Sequence, residues 1–190
     1  MEKIITLFQR NYETDRLVRN EVTPGAEWVM EGEGVPTRKL DGTACLVREG
    51  KLYKRYELKR GKPAPPDFEP AQEPDAVTGD TPGWVPVGDG PQDRWHREAW
   101  TNGNQSFPDG TYELLGPKVQ GNAEHQEIHR LVPHGQELLQ DVPRDYAGLK
   151  DYLAAHELEG IVWWRDRSNP ACEKVKLKRR DFGLPWPVKC

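Results

Sequence analysis

A chain of 190 residues suits one domain with a core of its own, and two full domains are not expected. Hydrophobic residues make up only 35%, but seven tryptophans, 17 prolines and 18 glycines favour short strands and turns over a helical bundle. The formal net charge of −4 excludes a uniformly cationic coat, and the absence of an apolar run near the ~20 residues that span a bilayer, or of a signal-peptide pattern, predicts a cytoplasmic protein with no membrane partner.

Ile4 to Phe8 reads as an entry strand, followed by a charged surface connection to Thr23-Pro24-Gly25. Glu27 to Met30 is expected as a short strand, and 31–36 as a turn leading into Lys39. Thr43 to Arg48 and Leu52 to Leu58 flank Glu49-Gly50, the pattern of a two-residue β-hairpin. From Gly61 to Gly90 the chain is crowded with proline and acid, which predicts a functional or mobile loop with Trp84, Val85 and Val87 as an anchoring turn. Thr111 to Gly116 and Ile128 to Val132 read as strands. Asp145 is placed to cap a helix from Tyr146 to about His156, with Leu149, Tyr152 and Leu153 on its core face. Leu158 to Trp164 is a strand opened by an acid, and Glu173 to Lys178 alternates Lys174, Lys176 and Lys178 against Val175 and Leu177.

The cations are unevenly spread. Lys51, Lys54, Arg55, Lys59, Arg60 and Lys62 form one cluster, and Lys174, Lys176, Lys178, Arg179 and Arg180 another, which suits one confined polyanion site. Cys45, Cys172 and Cys190 lack paired spacing and are expected as reduced thiols. The scattered histidines, His125 and His129 included, predict no metal site. Lys39-Leu40-Asp41-Gly42-Thr43 stands out because it presents a primary amine just before a strand, with a glycine that lets a ligand or backbone approach closely.

In order along the chain come Lys39-x-Asp41-Gly42, an arginine on the next strand, Glu113, Glu159-Gly160 and Lys176-x-Lys178. This series resembles motifs I, Ia, III, IV and V of the covalent nucleotidyltransferases, a superfamily of ATP-dependent DNA ligases, RNA ligases and mRNA capping enzymes. It is most similar to the compact ATP-dependent 5′-to-3′ RNA ligase 1-like family, through Lys39-Leu-Asp-Gly-Thr43, Gly83-Trp-Val-Pro-Val87, Glu113-Leu-Leu-Gly116, Leu131-Val-Pro-His-Gly135, Glu159-Gly-Ile-Val-Trp163 and Gly183-Leu-x-Trp186-Pro187. The resemblance covers roughly residues 30 to 187.

It implies an α+β nucleotidyltransferase (ATP-grasp-like) fold over residues 1–190, with mainly antiparallel sheets packed around an ATP pocket, few helices and no separate C-terminal domain. It also implies ATP-dependent joining of RNA 5′-phosphate and 3′-hydroxyl ends in RNA repair, with Mg2+ or Mn2+ as the metal and a monomer as the expected state. Lys39 would be the nucleophile that forms lysyl-AMP, its pKa depressed by Lys176 and Lys178. Lys176 and Lys178 would hold the reacting phosphate, and Glu159 would support the metal or the lysine. Glu113 would bind the ribose or orient the pocket. Arg55 and Arg60 compete for the motif Ia role, Asp41 shapes the turn or touches substrate, and Arg179 and Arg180 are further substrate or pocket candidates. Trp84, Trp95, Trp163 and Trp186 are offered to stacking on bases or, more conservatively, to core packing. The rival readings are another nucleotidyltransferase, of the DNA ligase or capping type, and a non-catalytic nucleic-acid-binding relative.

Overall fold

A computed structural model describes residues 3–188, and Cys190 lies outside them. In chain order the elements are β1 (Ile5–Thr6), β2 (Phe8–Arg10), β3 (Val18–Val22), α1 (Glu27–Met30), β4 (Val35–Lys39), β5 (Thr43–Arg48), β6 (Lys51–Leu58), β7 (Glu69–Pro70), β8 (Thr81–Pro86), α2 (Arg94–Asn102), β9 (Gly110–Leu115), β10 (Arg130–Pro133), α3 (Tyr146–Ala155), β11 (Gly160–Trp164) and β12 (Lys174–Lys178). Antiparallel sheet dominates and helices are few, as expected. The chain divides into two compact units, one of Asp41–His134 with Lys3, the other of Ile4–Leu40 with 135–188. It passes from one unit to the other between Leu40 and Asp41, inside the Lys39-Leu-Asp-Gly stretch. No described helix is long and apolar enough to cross a membrane.

The Asp41–His134 unit is built on a six-stranded antiparallel sheet of order β10-β9-β5-β6-β8-β7. The β5–β6 hairpin forms as predicted, with Glu49 and Gly50 both at positive φ (51° and 69°), the backbone that a tight two-residue hairpin turn demands. Cys45, Val47, Leu52, Tyr112, Leu114 and Leu131 bury one sheet face together with Ala99 of α2. Strand alternation then assigns Ala44, Tyr53, Arg55, Trp84 and Glu113 to the opposite face, as the cross-strand pairs Ala44–Glu113 and Arg55–Trp84 require.

Besides the short edge strand β7, two elements of this unit escaped the sequence. Thr81–Pro86, expected as an anchoring turn in a long loop, is a strand paired along β6. Its prolines are tolerated because Val87 donates to Leu52 while the Pro82 carbonyl faces Ala71, so Pro82 and Pro86 turn their missing N–H toward the short edge strand β7. Helix α2 packs Ala99 with the partly buried Trp95 and Trp100 on the core, an apolar face that is hard to read in nine residues otherwise polar or charged.

The other unit carries a four-stranded sheet of order β1-β12-β11-β4, in which β1 runs parallel to β12 and the remaining pairs are antiparallel. A β2–β3 ribbon accompanies it. Ile161, Trp163, Val175 and Leu177 bury one sheet face in a core with Leu149 and Leu153 of α3. Asp145 caps α3 as predicted, its side chain accepting the Gly148 N–H at 2.8 Å.

Here the sequence reading is corrected at three places. Glu27–Met30 is a helical turn, because the adjacent Trp28 and Val29 both enter the core, which a strand's alternation forbids. Val35 and Pro36, the end of the turn expected over 31–36, instead open a strand, Val35–Lys39, held along its length by β11. The charged connection contains β3. In the six-stranded unit, the predicted strand from Ile128 begins instead at Arg130, and Ile128 is exposed.

Candidate active site

The register of β4, β11 and β12 gathers the first group of candidate residues. Gly160 pairs with Lys39 on one side and Lys178 on the other, while Val162 pairs with Lys176. Cross-strand partners share a face, so Lys39, Lys176 and Lys178 all lie on the face opposite Ile161 and Trp163. Gly160 is the bare position between Lys39 and Lys178. A Cβ there would come within 2.3 Å of the Leu177 carbonyl oxygen and 2.9 Å of the Lys178 Cα, so only glycine permits this spacing of the strands.

Glu159, just before β11, is buried and accepts from Lys39 Nζ at 2.5 Å. Its carbonyl also receives the Arg179 N–H, which ties the start of β11 to the end of β12. Burial comes first among the causes that lower the Lys176 pKa to about 8, with the charges of Lys178 and Lys39 adding to it. The β12 end is anchored by Asp181, which is buried, accepts the Lys178 N–H at 2.7 Å and is paired with Arg10 of β2. Neither Arg10 nor Asp181 belongs to a motif, and only their meeting around Lys178 marks them.

Arg179 is corrected. It is buried, and its guanidinium donates to the carbonyls of Leu153, His156 and Pro185, so it closes the end of α3 instead of reaching for substrate. Arg180 is exposed and donates to the Trp186 carbonyl at 2.8 Å.

The second group lies in the Asp41–His134 unit. Glu113 of β9 is buried; one carboxylate oxygen accepts the Gly42 N–H at 2.9 Å and the other lies 2.7 Å from His134 Nε2. A Cβ on Gly42 would meet the Leu114 carbonyl oxygen at 2.2 Å, so this glycine lets the chain press against β9. Gly42→Ala is expected to lower stability by roughly 1–3 kcal/mol by overpacking, seen as a lower urea midpoint at unchanged slope. Asp41 is held through its backbone N–H, which donates to Glu124 at 2.9 Å. Burial pushes the nearby Cys45 thiol up, and the Glu113 charge adds to that shift.

Arg55 and Arg60 now separate. Arg55 sits on the Glu113 face of the sheet, with its guanidinium 5.2 Å from the Trp84 ring centre and its pKa lowered chiefly by burial. Arg60 lies beyond the end of β6, exposed, with its backbone N–H bound to Asp80. Of the basic run, Lys54 is spent on a buried ion pair with Asp93. The tryptophans mostly pack: Trp84, Trp163 and Trp186 are buried, and Trp95 stacks on His129 at 4.5 Å.

No group of three or more His, Cys, Asp or Glu side chains able to cage a metal occurs among the described residues. Glu159, buried and paired with Lys39, is the carboxylate here that could hold Mg2+, an ion usually bound by one or two carboxylates plus substrate phosphates.

No family model matches the chain. It is similar to a protein named RNA ligase 1 from Pongo abelii, with 25% identity over 230 aligned positions that cover 81% of this chain and 69% of that protein. That similarity, in a chain whose fold brings Lys39, Glu159, Lys176 and Lys178 together, supports an RNA-ligase-like relationship.

Proposed function

We propose that this chain is an ATP-dependent RNA ligase that works through a lysyl-AMP intermediate on Lys39. The observation that carries the reading is the Lys39–Glu159 pair on the same sheet face as Lys176 and Lys178. A lysine ammonium has no free electron pair, so Lys39 first gives up a proton, for which the Glu159 carboxylate is in contact. The free amine attacks the α-phosphorus of ATP; an N–P bond forms, the bond from the α-phosphorus to the bridging oxygen breaks, and pyrophosphate leaves. Lys176 and Lys178 neutralise the phosphates, which is most of what phosphoryl transfer asks of a protein.

Arg55 and Glu113 are assigned to the nucleotide. In the alternative role of Glu159, as support for the metal instead of the lysine, Mg2+ bound by it and the phosphates would supply charge neutralisation. AMP then passes to an RNA 5′-phosphate, and a 3′-hydroxyl displaces it to seal the strand. Similarity to a protein named RNA ligase 1 favours RNA as the acceptor.

The test is intact mass after incubation with ATP and magnesium, with GTP in parallel. The expected gain is one AMP, about 329 Da for phosphoramidate formation, with ATP alone, and 5′-phosphorylated RNA is expected to discharge it. No gain with either nucleotide overturns the proposal, and a gain with GTP alone turns it into a capping-type reading.

A further inference from the structure

We infer that His134 is a positioning residue for nucleotide binding, acting through Glu113. The inference rests on the proposed adenylylation of Lys39. His134 closes the Leu131-Val-Pro-His-Gly135 motif, to which none of the roles above assigns a task. Its backbone N–H donates to the Thr111 carbonyl at 3.1 Å, which seats it beside β9. The ring Nε2 lies 2.7 Å from Glu113 Oε2. An ionised carboxylate only accepts, so Nε2 carries the proton. The other nitrogen, Nδ1, is buried and has no hydrogen-bond partner among the described residues, so the ring's side-chain hydrogen bonding is committed to Glu113.

A carboxylate offers about four acceptor positions. In Glu113 the Gly42 N–H takes one on Oε1 and His134 takes one on Oε2, which fixes the plane of the group while leaving each oxygen able to accept once more. Glu113 is thus pre-aimed toward a hydroxyl donor such as the ATP ribose, on the same sheet face as Arg55. Without His134 the carboxylate would lose one of its two anchors, and ordering it would fall to the ligand. Ground-state nucleotide binding suffers from that loss, while the attack by Lys39 on bound ATP does not.

The experiment is AMP labelling of the full chain in single turnovers across ATP concentrations, for wild type, His134→Ala and His134→Gln. Glutamine can place an amide N–H near the position of Nε2; alanine cannot. For His134→Ala the half-saturating ATP concentration is expected to rise about tenfold while the plateau rate changes by less than about threefold. His134→Gln is expected to return half-saturation to within about threefold of wild type. Should His134→Ala fail to fold, His134→Asn, too short to reach Glu113, takes its place with the same expectation. Wild-type half-saturation in His134→Ala, a fall confined to the plateau rate, or a glutamine variant as impaired as the alanine one overturns the role of His134 and leaves the ligase reading standing. A wild type that takes no label overturns both.

Discussion

Lys39→Ala and Lys39→Arg are both expected to carry no AMP after incubation with ATP and magnesium, a loss on the order of 10³-fold or more in labelling rate, as removal of a covalent nucleophile produces. The two variants separate chemistry from folding. Alanine removes the ion pair with Glu159, whose side chain is only 11% exposed, so that protein is expected to lose some stability as well. Arginine keeps a positive charge within reach of Glu159, but a guanidinium stays protonated at any working pH and cannot attack phosphorus. A folded, unlabelled Lys39→Arg protein therefore identifies the nucleophile, and AMP on that variant would move the nucleophile elsewhere. Intact mass and a melting curve on each protein are sufficient measurements.

Lys176→Met is expected to make the protein more stable at pH 7 and at the same time cut labelling by on the order of 10²-fold or more, the usual scale for losing an electrostatic stabiliser of a transferring group. Lys176 is partly buried and faces two other lysines, and its pKa is lowered from 10.5 to about 8. A lysine whose folded pKa lies below its unfolded one holds its proton at a cost to the fold. That cost is fully present below pH 8 and fades as pH rises from 8 toward 10.5. Methionine fills a similar volume without the charge, so a gain on the order of 1–3 kcal/mol is expected at pH 7, allowing for residual solvent, shrinking toward pH 10.5. Phosphate binding should run the other way: wild-type labelling should weaken above pH 8 as Lys176 loses its charge, and Lys176→Arg should extend the active range upward. Urea midpoints at pH 7 and 10 together with a labelling profile check both signs. A Met variant less stable at pH 7 would show Lys176 to be a structural residue.

The local rules of the chain were legible where neighbouring residues set the conformation. Glu49-Gly50 fixed a hairpin because two positive φ angles in succession suit few residues. Asp145 with Leu149 and Leu153 fixed α3 because cap and stripe lie within two turns. The alternation from Lys174 to Lys178 fixed β12 and the direction of its lysines. Elements held by distant partners were not legible: the start of β4 looks like a turn until β11 pairs with it, and β8 looks like loop because its prolines cost nothing only where an edge strand is short.

The same division runs through the candidate residues. Lys39, Glu159, Lys176 and Lys178 could be named from the sequence because the short patterns that hold them follow an order that resembles the motifs of covalent nucleotidyltransferases. That Glu159 contacts Lys39 while Gly160 lies bare between two lysines depends on the pairing of three strands, and only the tertiary structure decides it. His134, Asp181 and Arg10 became visible the same way, through hydrogen bonds to Glu113 and around Lys178. Arg179 looked like a further substrate or pocket candidate until three carbonyls claimed it. The sequence determined the local conformations and the chemical inventory, since these depend on near neighbours and residue type. The tertiary structure decided which charges are paired, buried or committed, since burial and cross-strand register are set by residues far apart in the chain.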